Sequence, residues 1–252
     1  MIVFITGATA GFGAAMARTF VRNGHQVIIS GRRADRLQAL AARLAAQHGV
    51  QATALVADLA TSAGQDSVAH VLANNPAVSV LVNNAGLALN VAPAHEASLE
   101  DWDTMIATNI SGLVAMTRAL LPAMVARGSG TIINLGSVAG DTPYPGGNVY
   151  GATKAFVEQF TLNLRADLVG TGVRATNLAP GLCGGTEFSN VRLKGNDAAA
   201  AKVYEGTQPL TAEDIAETAY WIATLPAHVN INRIEMMPTC QGYGPLNIKR
   251  TL

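Results

Sequence analysis

Short apolar runs rich in β-branched residues alternate along this chain with longer stretches whose apolar positions recur at helical spacing. Residues 2–5 read as a strand and 14–23 as a helix closed by Gly24. A second strand is predicted over 27–30, a helix over 34–48, a third strand over 52–57 and a fourth over 78–82. A long helix covers 99–126 with a bend near Asn109 to Gly112. A fifth strand at 131–135, a helix at 149–168 and a sixth strand at 174–178 follow. The strands are apolar almost without alternation, as strands covered on both faces must be. Interleaved with helices, they predict a single α/β domain over residues 1–252: a Rossmann-type, doubly wound parallel sheet with helices on both faces. Residues 182–210 break the alternation, being polar, glycine-containing and weakly periodic. A long insertion directly after a strand is a natural lid over a site.

Composition narrows the field. Nearly half of the 252 residues are apolar, enough for one buried parallel sheet. Seventeen basic residues balance seventeen acidic ones, so charge gives no case for nucleic acid or an anionic membrane as a partner. The Arg32-Arg33 pair therefore needs a local explanation. Cys183 and Cys240 lie far apart without metal-ligand spacing, and none of the five histidines has a ligand neighbour. No metal site is expected, and a reduced, cytoplasmic setting is. The apolar start of the chain has no basic leading region, and its glycines would break a signal helix. No run of about 18 apolar residues occurs, so no membrane span is expected.

After the first strand comes Thr6-Gly7-Ala8-Thr9-Ala10-Gly11-Phe12-Gly13, leading into a helix. Glycines let backbone turn tightly and approach a ligand, while a helix N-terminus offers free N–H groups to phosphate. Such a turn can be purely structural; its place between first strand and first helix favours a dinucleotide. At the end of the second strand the chain reads Ser30-Gly31-Arg32-Arg33, with no carboxylate before Asp35 to grip a ribose 2′-hydroxyl. Two guanidiniums there suit the 2′-phosphate of NADP; the alternative is a solvated helix start.

The helix at 149–168 opens with Tyr150-Gly151-Ala152-Thr153-Lys154. Side chains four apart share a helix face, so phenol and ammonium can approach. Free tyrosine titrates too high to act as a base at neutral pH, and lowering it by about three units takes roughly 4 kcal/mol, which a nearby desolvated cation can supply in large part. The expectation is a Tyr150 phenol brought down by Lys154. Met105, Leu113, Met116 and Leu120 read as core or subunit contact, and Asp101 as an acid favouring its helix dipole.

Together these segments resemble the short-chain dehydrogenase/reductase family over essentially the whole chain. Gly7, Gly11 and Gly13 match its glycine turn, Asn83-Asn84-Ala85-Gly86 the segment after its fourth strand, and Asn109 its helical asparagine. Ser137 lies thirteen residues before Tyr150, and Pro180-Gly181 follow the sixth strand. The resemblance implies Tyr150 as acid/base, Lys154 on the nicotinamide ribose, Ser137 on the substrate oxygen, and Asn109 anchoring a water linked to Lys154. It further implies Thr9, Ala10 and Phe12 in the cofactor turn, Asp58 and Leu59 at the adenine, Asn84, Ala85 and Gly86 along the middle of the cofactor, and Pro180, Gly181 and Thr186 near its phosphates or carboxamide. Members preferring NADP often carry a basic residue just before the second glycine. Ala10 stands there, leaving the phosphate to Arg32 and Arg33.

A narrower likeness is to the NADP-dependent 3-hydroxy acid dehydrogenases, the serine and allo-threonine dehydrogenase group. It is carried by Asn84 to Leu89, Gly146 to Gly151, Pro180 to Arg192 and Leu225 to Asn232. This implies oxidation at the 3-hydroxyl of short acids such as serine, allo-threonine, 3-hydroxybutyrate or 3-hydroxypropionate, or reduction of malonic semialdehyde. A small acid needs a cation for its carboxylate. Arg192 is the candidate, with Lys194 and Lys202 behind it, and Asn148 is a further pocket contact. A reductase of acyl thioesters or sugar ketones, and a non-catalytic NADPH-sensing module, are the competing readings. Family habit implies a homotetramer built by the helices at 99–126 and 149–168, with the tail 242–252 against a neighbour.

Overall fold

The computed structural model describes residues 1–244. Seven parallel strands form one sheet in the order β3-β2-β1-β4-β5-β6-β7, in a single domain. They are β1 (Ile2–Ile5), β2 (Gln26–Gly31), β3 (Ala52–Val56), β4 (Val78–Asn83), β5 (Gly130–Leu135), β6 (Val173–Pro180) and β7 (Arg233–Met236). The six strands expected from apolar runs are present. β7 is the addition: its Arg-Ile-Glu-Met pattern carries two charges and leaves every position only half-buried at the sheet edge, so no apolar run announces it.

Helices cover both faces. On one side α1 (Gly11–Arg22), α2 (Ala34–His48) and α9 (Ala212–Thr224) bury an apolar stripe against Val3, Ile5, Val80 and Val82. In α2 that stripe is Leu37, Leu40, Ala41 and Leu44, and Gly49 ends the helix at φ 66°, in the left-handed region. The start of α9 is fixed by a reciprocal cap in which Thr211 and Asp214 bond each other's backbone N–H. On the other side α3 (Ser62–Ala73), α5 (Gly112–Arg127) and α6 (Asn148–Asp167) pack on Phe4, Leu81 and Ile132. α3 has only Val68 and Leu72 buried, too thin a stripe to stand out in the sequence.

The helix expected over 99–126 runs as α4 (Leu99–Ile106), a π-helical turn at Ala107–Ser111, and α5. The π turn falls at the expected bend and turns Asn109 inward. Met105, Leu113, Met116 and Leu120 are buried in the core. Although no unbroken apolar run exists, the continuous helix is long and apolar enough by length and composition to cross a membrane; here its buried side packs on the sheet. The 182–210 segment leaves and returns at one point, where Leu210 N–H donates to Leu182 O (3.0 Å) and Gly184 N–H to Leu210 O (2.9 Å). It carries two short helices, α7 (Phe188–Arg192) and α8 (Asp197–Lys202). Of the tail 242–252, residues 245 onward lie outside the described residues.

Candidate active site

The carboxyl ends of the strands open on a cavity of about 440 Å³. It lies where the order of the sheet reverses between β1 and β4, the crevice in which open α/β sheets bind ligands.

One end of the cavity is the glycine turn. Gly7 (φ 68°) and Gly11 (φ 52°) hold left-handed backbone. α1 starts at Gly11 with no side-chain cap from Ala10 and no acid in its first turn, so its N–H groups and positive dipole end remain available to an anion. Ala10, Gly11 and Phe12 line the cavity, as do Asn84, Ala85, Gly86, Asp58, Leu59, Pro180, Gly181 and Thr186. Gly13 does not. It lets helix and turn approach: a Cβ there would lie 2.5 Å from Gly7 O and 2.7 Å from Asn84 Nδ2. Asn84 braces the turn through Nδ2, donating to Thr6 O (2.8 Å) and Gly7 O (3.1 Å). Thr186 sits over Gly11.

Arg32 and Arg33 both border the cavity. Arg33 donates to Thr9 Oγ1 (2.9 Å) and to Glu187 Oε2 (2.6 Å), while Arg36 donates to the other Glu187 oxygen (2.6 Å). Thr9 thus touches Arg33 and does not itself line the cavity. The hydrogen bonds from Arg36 and Arg33 hold the Glu187 carboxyl below its usual range. Sequence reasoning missed Arg36 and Glu187. Arg36 lies one helical turn beyond Arg32, so its side of α2 was legible; Glu187 comes from a distant segment and was not.

At the other end, Tyr150 and Lys154 project from α6 into the cavity, both buried. Ser137 Oγ, beyond β5, acts to lower the phenol, accepts from Ala139 N–H (3.1 Å) and lies 3.4 Å from Pro180 O. The expected pair is therefore brought together, but the expected shift is not. Burial pushes the Tyr150 phenol up, Tyr144 adds to this, and Ser137 and Arg192 only partly oppose it. Lys154 Nζ stands 5.8 Å from the centre of the phenol ring and donates to Leu135 O (2.7 Å). Burial brings Lys154 itself down to about 8. Desolvation is the largest cause at both groups.

Asn109 is behind the cavity. Its Oδ1 accepts from Leu87 N–H (2.9 Å), and its Nδ2 donates to Leu87 O (2.9 Å) and Thr153 Oγ1 (3.0 Å). Both amide hydrogens are spent on protein, so the side chain braces the Leu87 loop against α6. Asn148 is not brought to the main cavity: its Nδ2 is tied to Ala92 O (3.2 Å) and it lines no part of that cavity.

Arg192, at the end of α7, does face the site. Its guanidinium carbon lies 5.2 Å from the Tyr144 ring centre and 5.9 Å from that of Tyr150, and Nη2 donates to Tyr144 Oη (3.0 Å). Its Nε is sealed from solvent and has no hydrogen-bond partner among the described residues. Tyr144 and Tyr204, which sequence reasoning passed over, line the same wall. Cys183 also lines it, with a thiol pushed up to about 12 by burial.

Similarity to known proteins agrees with this layout. The NADP-dependent 3-hydroxy acid dehydrogenase YdfG of Salmonella typhi is 58% identical over 255 residues, with all of both chains covered. Sulfoacetaldehyde reductase 2 of Chromohalobacter salexigens is 52% identical, covering 99% of this chain and 98% of that one. A solved structure described as the closed form of serine dehydrogenase complexed with NADP+ superposes with a TM-score of 0.93 at 56% identity, covering all of both chains. The model of the short chain dehydrogenase family matches residues 1–196. With the glycine turn, the serine and the tyrosine–lysine helix turn gathered on one cavity, the chain belongs to the short-chain dehydrogenase family.

Proposed function

We propose that this chain is an NADP-dependent oxidoreductase that interconverts the 3-hydroxyl of short 3-hydroxy acids and the corresponding carbonyl. The observation that carries the substrate class is Arg192, a cation held 5.9 Å from the ring of the proposed acid/base Tyr150 with Nε sealed and unpartnered. A 3-hydroxy acid and sulfoacetaldehyde, the compounds in the relatives' names, both carry an anionic head one carbon from the reacting centre.

The uncapped start of α1 and the guanidiniums of Arg32 and Arg33 fit the phosphates of NADP. When bound, NADP supplies the nicotinamide carbon that exchanges hydride with the carbinol carbon. The protein's own share is proton and charge management. Tyr150 exchanges the hydroxyl proton, and Ser137 with Tyr150 brackets the oxygen on which charge develops. Lys154 has one N–H on Leu135 O, leaving its others for the ribose hydroxyls and the phenol. Asn109 acts as a positioning residue for the Leu87 loop and Thr153. The 182–210 segment acts as a lid carrying Arg192.

The proposal extends to a cytoplasmic homotetramer. Half-exposed Ile106 and Val125 on the α4–α5 helix, with Phe156 and Leu162 on α6, are apolar positions suited to a partner, and both cysteines are free thiols. Light scattering tests the assembly. For the reaction, NADP is mixed with serine, allo-threonine, 3-hydroxybutyrate and 3-hydroxypropionate while absorbance of the reduced nicotinamide is followed, with NAD as control. Turnover with NADP is expected; silence throughout, with NADP still bound, would favour a sensing module. Arg192→Met should raise KM for the acids about tenfold or more, as loss of a charge-assisted bond implies. An unchanged KM would remove Arg192 from carboxylate binding.

A further inference from the structure

We propose that Asp101 and Lys194 form a positioning pair that holds the lid's Arg192 over the reacting centre. This inference rests on the substrate reading above. From the sequence, Asp101 needs no explanation beyond the dipole of α4, for which an exposed carboxylate would serve. The structure places it otherwise. Its side chain is 12% exposed, and Oδ2 is sealed from water with no aligned hydrogen-bond donor among the described residues. What it meets is the ammonium of Lys194 at 2.8 Å, an ionic contact supplied by the lid. A buried carboxylate is costly unless opposed by charge. Among the described residues, the one salt bridge to Asp101 is made when the lid is seated.

The backbone around Arg192 agrees. Among the described residues, two that are not glycine have positive φ, Asn90 (62°) and Lys194 (52°). Both are docking points of this one stretch of lid. Asn90 N–H donates to Arg192 O at 2.8 Å, and Lys194 follows α7 and carries the ammonium to Asp101. Left-handed backbone in residues with a Cβ persists where surrounding contacts impose it, and such sites cluster at functional centres. Arg192 lies between these two points, with its Nη2 on Tyr144. Asp101 and Lys194 line the main cavity nowhere, so their influence passes through Arg192.

The test compares Lys194→Met, Asp101→Asn, the double variant and Lys194→Arg in the full-length protein with NADP. The substrates are 3-hydroxybutyrate and 2-butanol, which carries a methyl in place of the carboxylate. KM for 3-hydroxybutyrate should rise about fivefold in each single variant and no further in the double, as for two groups acting as one. The kcat, the KM for NADP and the rate on 2-butanol should stay within about twofold, and Lys194→Arg should recover the parent KM. Should Asp101→Asn fail to fold, Lys194→Met with its Arg rescue decides alone, since Lys194 is half-exposed. An unchanged KM in Lys194→Met, or an equal loss on 2-butanol, overturns the proposal. Arg192→Met run alongside separates the failures. If it leaves KM unchanged, the substrate reading falls; if it alone raises KM, only the positioning pair falls.

Discussion

Lys154 has lost nearly all contact with water and keeps one close acceptor, Leu135 O at 2.7 Å. Its ammonium is accordingly brought to about 8, while the neighbouring phenol is pushed up. The unfolded chain holds this proton up to the ordinary lysine value near 10.4, whereas the folded, cofactor-free protein releases it from about 8. Folding stability from this group therefore rises with pH across that window, and below it the charged lysine costs on the order of 3 kcal/mol relative to the neutral one. Lys154→Met is expected to melt higher than the parent at pH 7 without cofactor, while losing several powers of ten in turnover. Calorimetry beside a rate assay checks both, and a lower melting point would contradict the burial argument. The phenol and the amine share one buried environment. Oxidation should speed up with pH towards an apparent step near 8, and Lys154→Met should lose that step. Spacing alone made the Tyr150–Lys154 pair legible. The direction of its shift was not, because the burial of the pair and the electrostatic push of Tyr144 come from segments that reach the site from elsewhere in the chain.

Among the elements, the glycine turn and α1 were read from local sequence because their geometry is local. Positive φ at Gly7 and Gly11 and the close approach at Gly13 each follow from the absence of a Cβ. Gly13→Ala should lower stability by about 1–3 kcal/mol, the usual cost of overpacking, because its methyl would meet Gly7 O and Asn84 Nδ2. It should also weaken NADP binding, since those atoms shape the turn. A melting curve and a cofactor titration test this, and parent-like values in both would refute it. The elements that escaped reading did so for a common reason. α3 and β7 bury little on their own, and the lid helices α7 and α8 have five and six residues, too few for periodicity to register. Arg192 could be named a candidate from chemical need alone. That Lys194 turns away to Asp101 could not, since nothing near either residue in sequence points to the other.

Across the whole molecule, the sheet sets the two ends of the cavity and the lid spans them. Ion pairs of the lid fall on opposite sides: Glu187 meets Arg33 and Arg36 at the head of α2, and Lys194 meets Asp101 on α4. The Glu187 clasp has a consequence for traffic. It bridges the lid and α2 beside the glycine turn, where Thr186 already covers Gly11, so opening the clasp is expected to widen the way for a dinucleotide. NADP is then expected to dock before the hydroxy acid and depart after its product, a compulsory order in which reduced cofactor competes with NADP alone. Glu187→Gln should quicken release of NADPH, measured by stopped-flow fluorescence, and let the order become random. With one carboxylate set across two arginines, release of the reduced cofactor is the event this gate is expected to slow.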